Sequence, residues 1–304
     1  MILDLPDTTT AEVTKSLVRL RDEGGAVALG RVLTLVIDAD VGDVEESVAI
    51  ANDVSREHPA RVIVLARDAS RTTPRLDAQI RVGGDAGASE VVLLTASGQI
   101  LAHSDTLVMP LLLPDAPIVV WWPHEIPVRP ALHPIGRMAQ RRITDSASCH
   151  DPLGTLARLR DGYSAGDTDL AWARLTIWRA LLAAALDQPP HEPVLRARVT
   201  GHGKHPAVFL LAAWLGHALG CPVEVVRQPD ARGITGVVLE RASGPIEIER
   251  PDGRIATLRQ PGHPDQRVAM PLRELRECLS EDLRRLDPDE VYGEVLRHGL
   301  ERIA

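Results

Sequence analysis

Two apolar, β-branched runs separated by one helical segment constrain the fold of this chain more than any other feature. The first run is RVLTLVIDAD at residues 31–40, and the second is ARVIVLARD at residues 60–68. Between them, residues 42–59 carry a helical pattern that ends at His58-Pro59. Because parallel strands need a long connection, this strand–helix–strand unit favours a parallel crossover. We therefore expect an α/β fold.

The same alternation continues to about residue 150. Residues 11–23 are predicted to form an amphipathic helix that follows a Thr cap and ends at Gly24-Gly25. The glycine-rich segment 83–89 is predicted to be a turn, with a ligand-binding loop as the alternative. Further strands are predicted at residues 77–83, 90–96, 117–123 and 141–148. Residues 1–150 should thus form a doubly wound, mostly parallel α/β domain.

The sequence pattern changes after residue 150. Residues 151–190 are expected to be connecting helices, the longer one beginning at a cap among Asp167, Thr168 and Asp169. Residues 191–304 begin with a second strand–helix–strand unit and continue as short alternating strands with Gly and Pro turns. They end in two helices. This order predicts a smaller α+β domain that contains a β-meander.

Charge and composition exclude several classes of protein. The 304 residues include 34 Lys and Arg against 42 Asp and Glu, whereas proteins that bind long phosphate tracts are usually basic. No apolar stretch approaches the roughly 18 residues of a membrane helix, and the first residues lack the pattern of a signal peptide. Cys149, Cys221 and Cys278 lack paired spacing, which indicates reduced thiols. We expect a cytoplasmic protein with neither a nucleic-acid nor a membrane partner.

The sequence shows no catalytic or metal-binding motif. It contains no P-loop, no GxSxG nucleophile elbow, no HExxH and no Cys/His metal spacing. We therefore expect no catalytic residue, no metal and no cofactor. Asp38, Asp40 and Asp43 lie where the first β-branched run ends, and carboxylates there either hold Mg²⁺ or cap the next helix. Capping and solvation are the favoured interpretation.

One short turn has the composition of an anion-binding site. It lies between a predicted strand and a predicted helix, and backbone N–H groups at a helix N-terminus favour an anion. Its candidate residues are Thr200, His202, Lys204 and His205. An ordinary Gly/His turn that binds nothing is the favoured interpretation, and the alternative is a site for a phosphorylated metabolite.

Four segments together resemble one known family. They are PLLLPDAPIVVWWPHE, RRITDSAS, TDLAWARLTIWRALLAAALDQPP and AAWLGHALG. In this order and spacing they resemble the glucose-6-phosphate dehydrogenase assembly protein family, OpcA. The segments HPARVIVL and GGDAGASEVVLL fit the same pattern, so the likeness covers nearly the entire chain.

The resemblance implies a non-enzymatic partner that binds glucose-6-phosphate dehydrogenase, supports its assembly and allosterically raises its activity. That enzyme starts the oxidative pentose phosphate pathway and makes NADPH. The expected contact residues lie on an exposed loop after the Trp strand and on the neighbouring strand: Trp122, Pro123, His124, Arg129, Arg141 and Arg142. For the Trp pair, the alternative is the core. The alternative function is a sensor or enzyme that binds a phosphorylated sugar or nucleotide in the α/β domain.

Overall fold

The computed structural model describes residues 1–23, 32–83 and 90–302. The helix end predicted at Gly24-Gly25 and most of the predicted glycine-rich turn lie outside these residues. Internal contacts divide the chain into two units. Unit 1 comprises Met1–Asp145, Gly166–Thr168 and Leu275–Pro288, and unit 2 comprises Ser146–Ala165, Asp169–Glu274 and Asp289–Ala304. The three-part division predicted at residues 150 and 190 stays a prediction.

The strands of the described residues form two sheets. Those of the first sheet are β1 Ile2–Leu5, β2 Leu33–Asp40, β3 Ala60–Arg67, β4 Arg75–Arg81, β5 Glu90–Ser97, β6 Ile118–Trp122, β7 Arg141–Thr144 and β8 Asp167–Asp169. Those of the second sheet are β9 Arg196–Gly201, β10 Val223–Arg227, β11 Ile234–Glu240, β12 Ile246–Glu249, β13 Ile255–Arg259 and β14 Gln266–Ala269.

Helices connect and cover these strands. They are α1 Thr10–Glu23, α2 Val44–Val54, α3 Ser104–Val108, α4 Pro152–Gly162, α5 Leu170–Ala173, α6 Thr176–Leu186, α7 Pro206–Leu219, α8 Leu275–Leu283 and α9 Glu290–Glu294. The predicted Thr cap of α1 is present as a capping box. The hydroxyl of Thr9 accepts from the backbone N–H of Glu12, and the Glu12 carboxylate accepts from the N–H of Thr9.

The first sheet has the predicted mostly parallel, doubly wound form. Its strand order is β1-β4-β5-β3-β2-β6-β7-β8. The pairs β2–β3, β3–β5, β2–β6 and β6–β7 are parallel, and the pairs β1–β4 and β4–β5 are antiparallel. The sequence does not predict the short N-terminal strand β1. Its four residues alternate between exposed and half-buried positions in the structure.

Helices pack on both faces of this sheet. Val13 and Leu17 of α1 share an apolar cluster with Val36 of β2 and Trp122 of β6. Helix α2 also contacts β2 and β3, yet its buried residues do not belong to that cluster. Because successive residues of a strand point to opposite faces, α2 covers the other face. Helix α8 packs against α2, although about 220 residues separate them in the chain.

Unit 2 contains the second sheet, in the order β10-β9-β11-β12-β13-β14. The pair β9–β10 is parallel and joined by α7, and the following strands pair antiparallel as the predicted meander. Nine residues of α7 are buried, and seven of them form one apolar core with Trp178 of α6 and Ile248 of β12. This apolar core is built almost entirely of aliphatic side chains.

Two details of the helices differ from the sequence-based expectation. The long helix predicted from Asp167 is a short strand β8 followed by α5 and α6, which are separated at Arg174 and Leu175. Of the three predicted caps, Asp169 fulfils the role, because its carboxylate accepts from the N–H of Ala171 at 2.9 Å. The last predicted helix begins as α9 and continues as a π-helical turn, Val295–Gly299.

Candidate functional site

The topology of unit 1 singles out one place on the first sheet. From β2 the chain proceeds to β3 and β5 on one side, whereas β6 and β7 extend the sheet on the other side. The strand order therefore reverses between β2 and β6. In doubly wound sheets, ligands bind outside the carboxyl ends of the strands at such a reversal. The carboxyl ends of β2 and β6 are thus the first candidate site.

A buried polar contact joins these two strand ends. The indole Nε1 of Trp122 donates a hydrogen bond to Asp38 Oδ2 at 3.0 Å. Ile37 and Trp121 are paired across the parallel register, so Asp38 and Trp122 occupy the next step. Their exposed fractions are 2% for Asp38 and 1% for Trp122. Burial of a carboxylate is costly without partners, and the indole supplies one of them.

An arginine and a histidine complete what we call the edge cluster: Asp38, Arg67, Trp122 and His133. Arg67 Nε lies 3.1 Å from Asp38 Oδ1, as an ion pair that is not aligned as a hydrogen bond. His133 Nε2 lies 3.9 Å from Asp38 Oδ2, and its ring meets the Trp122 indole edge-on at 5.6 Å. Burial raises the pKa of Asp38, and the Arg67 charge opposes that rise. Burial also disfavours the charged form of His133, and this lowers the pKa of its imidazole.

Arg67 also forms ion pairs with two further carboxylates at this edge of the sheet. Its Nη2 lies 3.3 Å from Asp40 Oδ1, and its Nη1 lies 3.1 Å from Glu125 Oε2. The charges at the strand ends are therefore largely satisfied by one another. Among the described residues, no group of three His, Cys, Asp or Glu side chains is arranged to hold a metal ion.

Capping and solvation, the interpretation favoured for the acidic residues at the end of β2, is wrong for Asp38, which is buried and accepts from Trp122. The capping role is also wrong for the other two. Asp40 and Asp43 lie at the start of a short 3₁₀ turn and of α2, and neither side chain makes a capping hydrogen bond. Asp40 pairs with Arg67 instead, and Asp43 Oδ1 lies 4.0 Å from His124 Nε2. The carboxylates thus interact across the strand ends, where nearby cations compete with the backbone N–H groups.

The expectation that Trp122 and Pro123 lie on an exposed loop is wrong, because both residues are buried. Trp122 packs in the apolar cluster of the sheet face and donates its indole N–H to Asp38. The following loop folds tightly over it. A Cβ at Gly136 would lie 1.9 Å from the Pro130 carbonyl oxygen and 3.2 Å from Trp122 Cη2.

Beyond Pro123, the same loop is accessible. His124 is half-buried and Arg129 is exposed. Two large apolar side chains beside them are also exposed, Val128 at 64% and Leu132 at 53%. The loop therefore presents a mixed apolar and basic surface, of which His124 and Arg129 were predicted as contact residues.

Arg141 and Arg142 are buried ion-pair partners, which corrects their expected position on a charged surface. The guanidinium of Arg141 donates to Asp282 of α8 at 2.6 Å and to the Asp287 carbonyl at 2.8 Å. Arg142 pairs with Asp167 of β8 and donates to the Ala139 carbonyl at 2.8 Å. Their exposed fractions are 3% and 7%, so neither guanidinium is available to a partner on this surface.

The four residues of the predicted anion-binding turn do not converge on a single site. His205 caps α7, because its Nδ1 accepts from the N–H of Ala207 at 3.2 Å, and it also lines a cavity in unit 2. The Nδ1 of His202 accepts from the N–H of Lys204 at 3.3 Å, and Lys204 is exposed. The carbonyl of Thr200 accepts from Thr235 within the sheet. Thr200, His202 and Lys204 do not line that cavity. Anion binding by this turn stays a prediction.

Comparison with known families decides the classification. Two consecutive domains of the family described as "Glucose-6-phosphate dehydrogenase subunit" match this chain, the N-terminal domain at residues 51–161 and the C-terminal domain at residues 165–296. The chain belongs to the OpcA family. The resemblance seen in the sequence is thus confirmed, and the two OpcA domains follow one another over most of the chain.

The individual relatives have low sequence identity to this chain. The putative OxPP cycle protein OpcA of Nostoc punctiforme is 26% identical over 230 residues, which are 71% of this chain and 49% of that protein. The protein of the same name from Synechococcus elongatus is 28% identical over 152 residues, 46% of this chain and 34% of that protein. This OpcA chain therefore spans about half the length of the first of these relatives.

Solved structures offer a weaker likeness. Biliverdin reductase from Synechocystis sp. PCC 6803, in complex with biliverdin and NADP⁺, aligns over 89% of this chain and 96% of its own. The sequence identity is 10% and the TM-score is 0.40, which is too low to carry an inference about this OpcA chain.

None of the helices in the described part of the chain has the length and apolar composition needed to cross a bilayer.

Sequence reasoning missed Arg67 and His133, which surround Asp38. Arg67 is the last residue of β3. A charged residue at the carboxyl end of a central parallel strand is the sequence signal that could have identified it as a site residue. His133 lies in a proline-rich loop, between short 3₁₀ turns, so nothing local indicates that it returns to Asp38. Its position depends on how the whole loop folds over Trp122.

Proposed function

We propose that this OpcA chain is a non-enzymatic partner that binds a glucose-6-phosphate dehydrogenase, supports its assembly and raises its activity. The observation that carries this proposal is the ordered match of both dehydrogenase-associated domains, over residues 51–161 and 165–296. The names of the relatives place those proteins in the oxidative pentose phosphate cycle. On this proposal, the chain acts in the cytoplasm and promotes NADPH production through the dehydrogenase.

The geometry of the edge cluster supports a binding role. At the strand reversal, where an α/β enzyme receives its ligand, Asp38 is covered by Trp122 and paired with Arg67. Arg67 in turn holds Asp40 and Glu125. A group that reacted with a substrate here would first have to leave these partners. The arrangement favours a stable platform beneath the loop that follows β6.

That loop is the surface we propose for the dehydrogenase. It exposes Val128, Leu132 and Arg129 together with the partly exposed ring of His124. Arginine is one of the residue types enriched at binding hot spots, and exposed apolar side chains beside it can serve as the surrounding contacts that exclude water. The rigid strand β6 and the tight turn at Gly136 fix the base of the loop, which reduces the entropy lost on binding.

Activation follows from a difference in affinity between two states of the dehydrogenase. If the chain binds the more active conformer better, the equilibrium shifts toward that conformer by the same free energy. A tenfold rise in apparent substrate affinity needs about 1.4 kcal/mol of such coupling. No chemical step within this chain is required for that effect.

The test is to mix the purified chain with its cognate dehydrogenase. We expect co-elution on size exclusion, a changed oligomeric state by analytical ultracentrifugation, and a shifted dependence of activity on glucose 6-phosphate. A dehydrogenase whose mass and kinetics are unaltered by saturating chain would overturn the proposal. Co-elution with unchanged kinetics would instead indicate an inert structural role.

The alternative proposal, a sensor or enzyme in the α/β domain, is distinguished by calorimetry on the chain alone. Glucose 6-phosphate, NADP⁺ and NADPH are the probes, and Arg67→Ser is the variant at the edge cluster. Binding that Arg67→Ser removes would favour the sensor or enzyme. Binding that survives this substitution has its source elsewhere in the chain.

A further inference from the structure

A cavity of about 210 Å³ in unit 2 has a strongly cationic lining. Four arginines and one histidine line it, and the described lining residues include neither Asp nor Glu. These five residues come from separate parts of unit 2: Arg174, His205, Arg232, Arg250 and Arg273. The chain as a whole carries a net charge of −8, so this local excess of positive charge runs against the composition.

Arg250 is the most informative of these residues because it is buried, with an exposed fraction of 5%. Its Nη2 donates to the Ile234 carbonyl at 2.8 Å, and its Nη1 donates to the Met270 carbonyl at 3.2 Å. Its Nε is buried and has no hydrogen-bond partner in the part of the chain that the structure describes. No described carboxylate lies within ion-pair distance of this guanidinium. Burial lowers its pKa, and the charge of the exposed Asp252 opposes that effect only in part.

A buried guanidinium that has only neutral partners is costly, since desolvation of a charge is normally offset by a counter-charge. The carbonyls of Ile234, Met270 and Pro271, the last at 3.5 Å, hold Arg250 in place, but they supply no counter-charge and leave its Nε without a partner among the described residues. Trp178 is also nearby, with its ring 5.1 Å from the guanidinium carbon. An anion in the cavity would supply the counter-charge that these neutral partners lack.

The backbone around the cavity favours the same kind of ligand. His205 places the first turn of the 14-residue helix α7 at the cavity, with the positive end of its dipole. The N–H groups of Ala207 and Val208 are already taken by His205, so the helix contributes its field. Gly233 lines the cavity with a φ of +123°, a conformation that side-chain-bearing residues rarely adopt.

We propose that this cavity binds a small phosphate-bearing anion, with Arg250 on its floor and Arg232 at its exposed rim. Guanidinium groups match the geometry of phosphate oxygens and donate to them in pairs, and a phosphate dianion balances more than one arginine. The cavity is smaller than the roughly 300 Å³ at which drug-sized pockets begin, which limits the ligand to a phosphate or a small monophosphate. Trp178 and Ile177 provide an apolar wall for a compact organic group.

The experiment is isothermal titration of the full chain with inorganic phosphate, glucose 6-phosphate and uncharged glucose. We expect both anions to bind, glucose to give no heat, and added salt to weaken binding. Glucose 6-phosphate that binds more tightly than phosphate would assign a sugar monophosphate. Equal affinities would assign the phosphate group alone.

Two variants locate the binding. Arg232→Ser removes a rim charge from an exposed side chain, and its matched control is Arg198→Ser, a surface arginine of the same sheet that pairs with Glu224 outside the cavity. We expect about a fivefold higher Kd for Arg232→Ser and an unchanged Kd for Arg198→Ser. Arg250→Lys, checked for folding by near-UV circular dichroism, should lose about tenfold because a lysine lacks the planar fork.

Absence of anion-dependent heat in the folded wild-type chain would overturn the inference. Equal affinity of Arg232→Ser and Arg198→Ser would overturn it as well, because binding would then lie elsewhere. The measurement uses this chain alone. Its outcome is therefore independent of whether the chain binds a dehydrogenase.

Discussion

Trp122 and Asp38 stand side by side on adjacent parallel strands, and the indole N–H of the one donates to the buried carboxylate of the other at 3.0 Å. The preceding residue, Trp121, points to the opposite face of the sheet and is equally buried. Its indole N–H has no hydrogen-bond partner among the described residues. Besides the edge-on contact of the Trp122 ring with His133, the two neighbouring tryptophans therefore differ in this hydrogen bond.

Replacement of each tryptophan by phenylalanine measures that interaction. Both substitutions remove similar volume from the core, but Trp122→Phe also leaves the Asp38 carboxylate without its donor. We expect Trp122→Phe to lower the free energy of unfolding by about 2 kcal/mol more than Trp121→Phe. Urea denaturation followed by circular dichroism gives both values. Equal losses would show that the hydrogen bond contributes nothing to stability.

A second prediction concerns the ion pair that joins α8 to strand β7 within unit 1. Arg141 and Asp282 are both buried and meet at 2.6 Å, so Asp282→Asn leaves a buried guanidinium uncompensated. We expect a loss of about 3 kcal/mol in the free energy of unfolding, and faster hydrogen exchange in α8. The matched control is Arg284→Ser, which breaks an exposed pair with Glu57 next to the same helix. It should cost far less than Asp282→Asn, because solvent screens an exposed pair. A similar loss in both variants would contradict the prediction.

The strand–helix–strand segment shows how much of the fold local sequence determines. The β-branched runs at residues 31–40 and 60–68 became β2 and β3, because an apolar run of this length suits a strand buried on both faces. The return of α8 to the first sheet had no such signal. Arg141 and Asp282 are 141 residues apart, and each residue alone is typical of a solvated surface.

The candidate sites divide in the same way. The sequence points to Asp38 because it lies near the end of a strand, and strand ends meet at one edge of a parallel sheet. It leaves the burial of Trp122 open as an alternative and gives no signal for the group of arginines in unit 2. Arg174, Arg232, Arg250 and Arg273 come from separate segments that only the folded chain brings together. A pattern read over a few residues at a time does not contain that information.

A third prediction concerns acid stability at β4. Hydrogen bonds from Arg75, and then from the N–H of Asp7, lower the pKa of Asp77 from 3.8 to about 2. Between these two values the unfolded chain binds more protons than the folded chain, so folding stability falls as the pH falls through this window. Well above the unfolded-state pKa the contribution is fully present.

Asp77→Asn removes this titration. Urea denaturation at several pH values from about 2 to 5 should therefore show a shallower loss of stability with falling pH in Asp77→Asn than in the wild-type chain. The two curves should converge toward the acid end of the range. Parallel curves would mean that Asp77 has the same pKa in the folded and unfolded states.

The fourth prediction concerns the loop after β6 and rests on the proposed function. Arg129 is exposed there beside Val128, which is itself 64% exposed, so Arg129→Glu reverses a charge on an accessible side chain. We expect the Kd for the cognate dehydrogenase to rise about tenfold, which corresponds to about 1.4 kcal/mol. Surface plasmon resonance with immobilised dehydrogenase measures this change, and circular dichroism should show an unaltered fold.

Arg56→Glu is the matched control for that charge reversal. Arg56 is 75% exposed and makes a surface contact with Asp53 at 3.6 Å, and it lies after α2, away from the loop in sequence. It changes the net charge of the chain by the same amount, so any general electrostatic steering of association is affected equally. A tenfold loss confined to Arg129→Glu would therefore locate the contact at the loop. An equal loss in both variants would reflect net charge alone, and binding unchanged in both would exclude the loop from the interface.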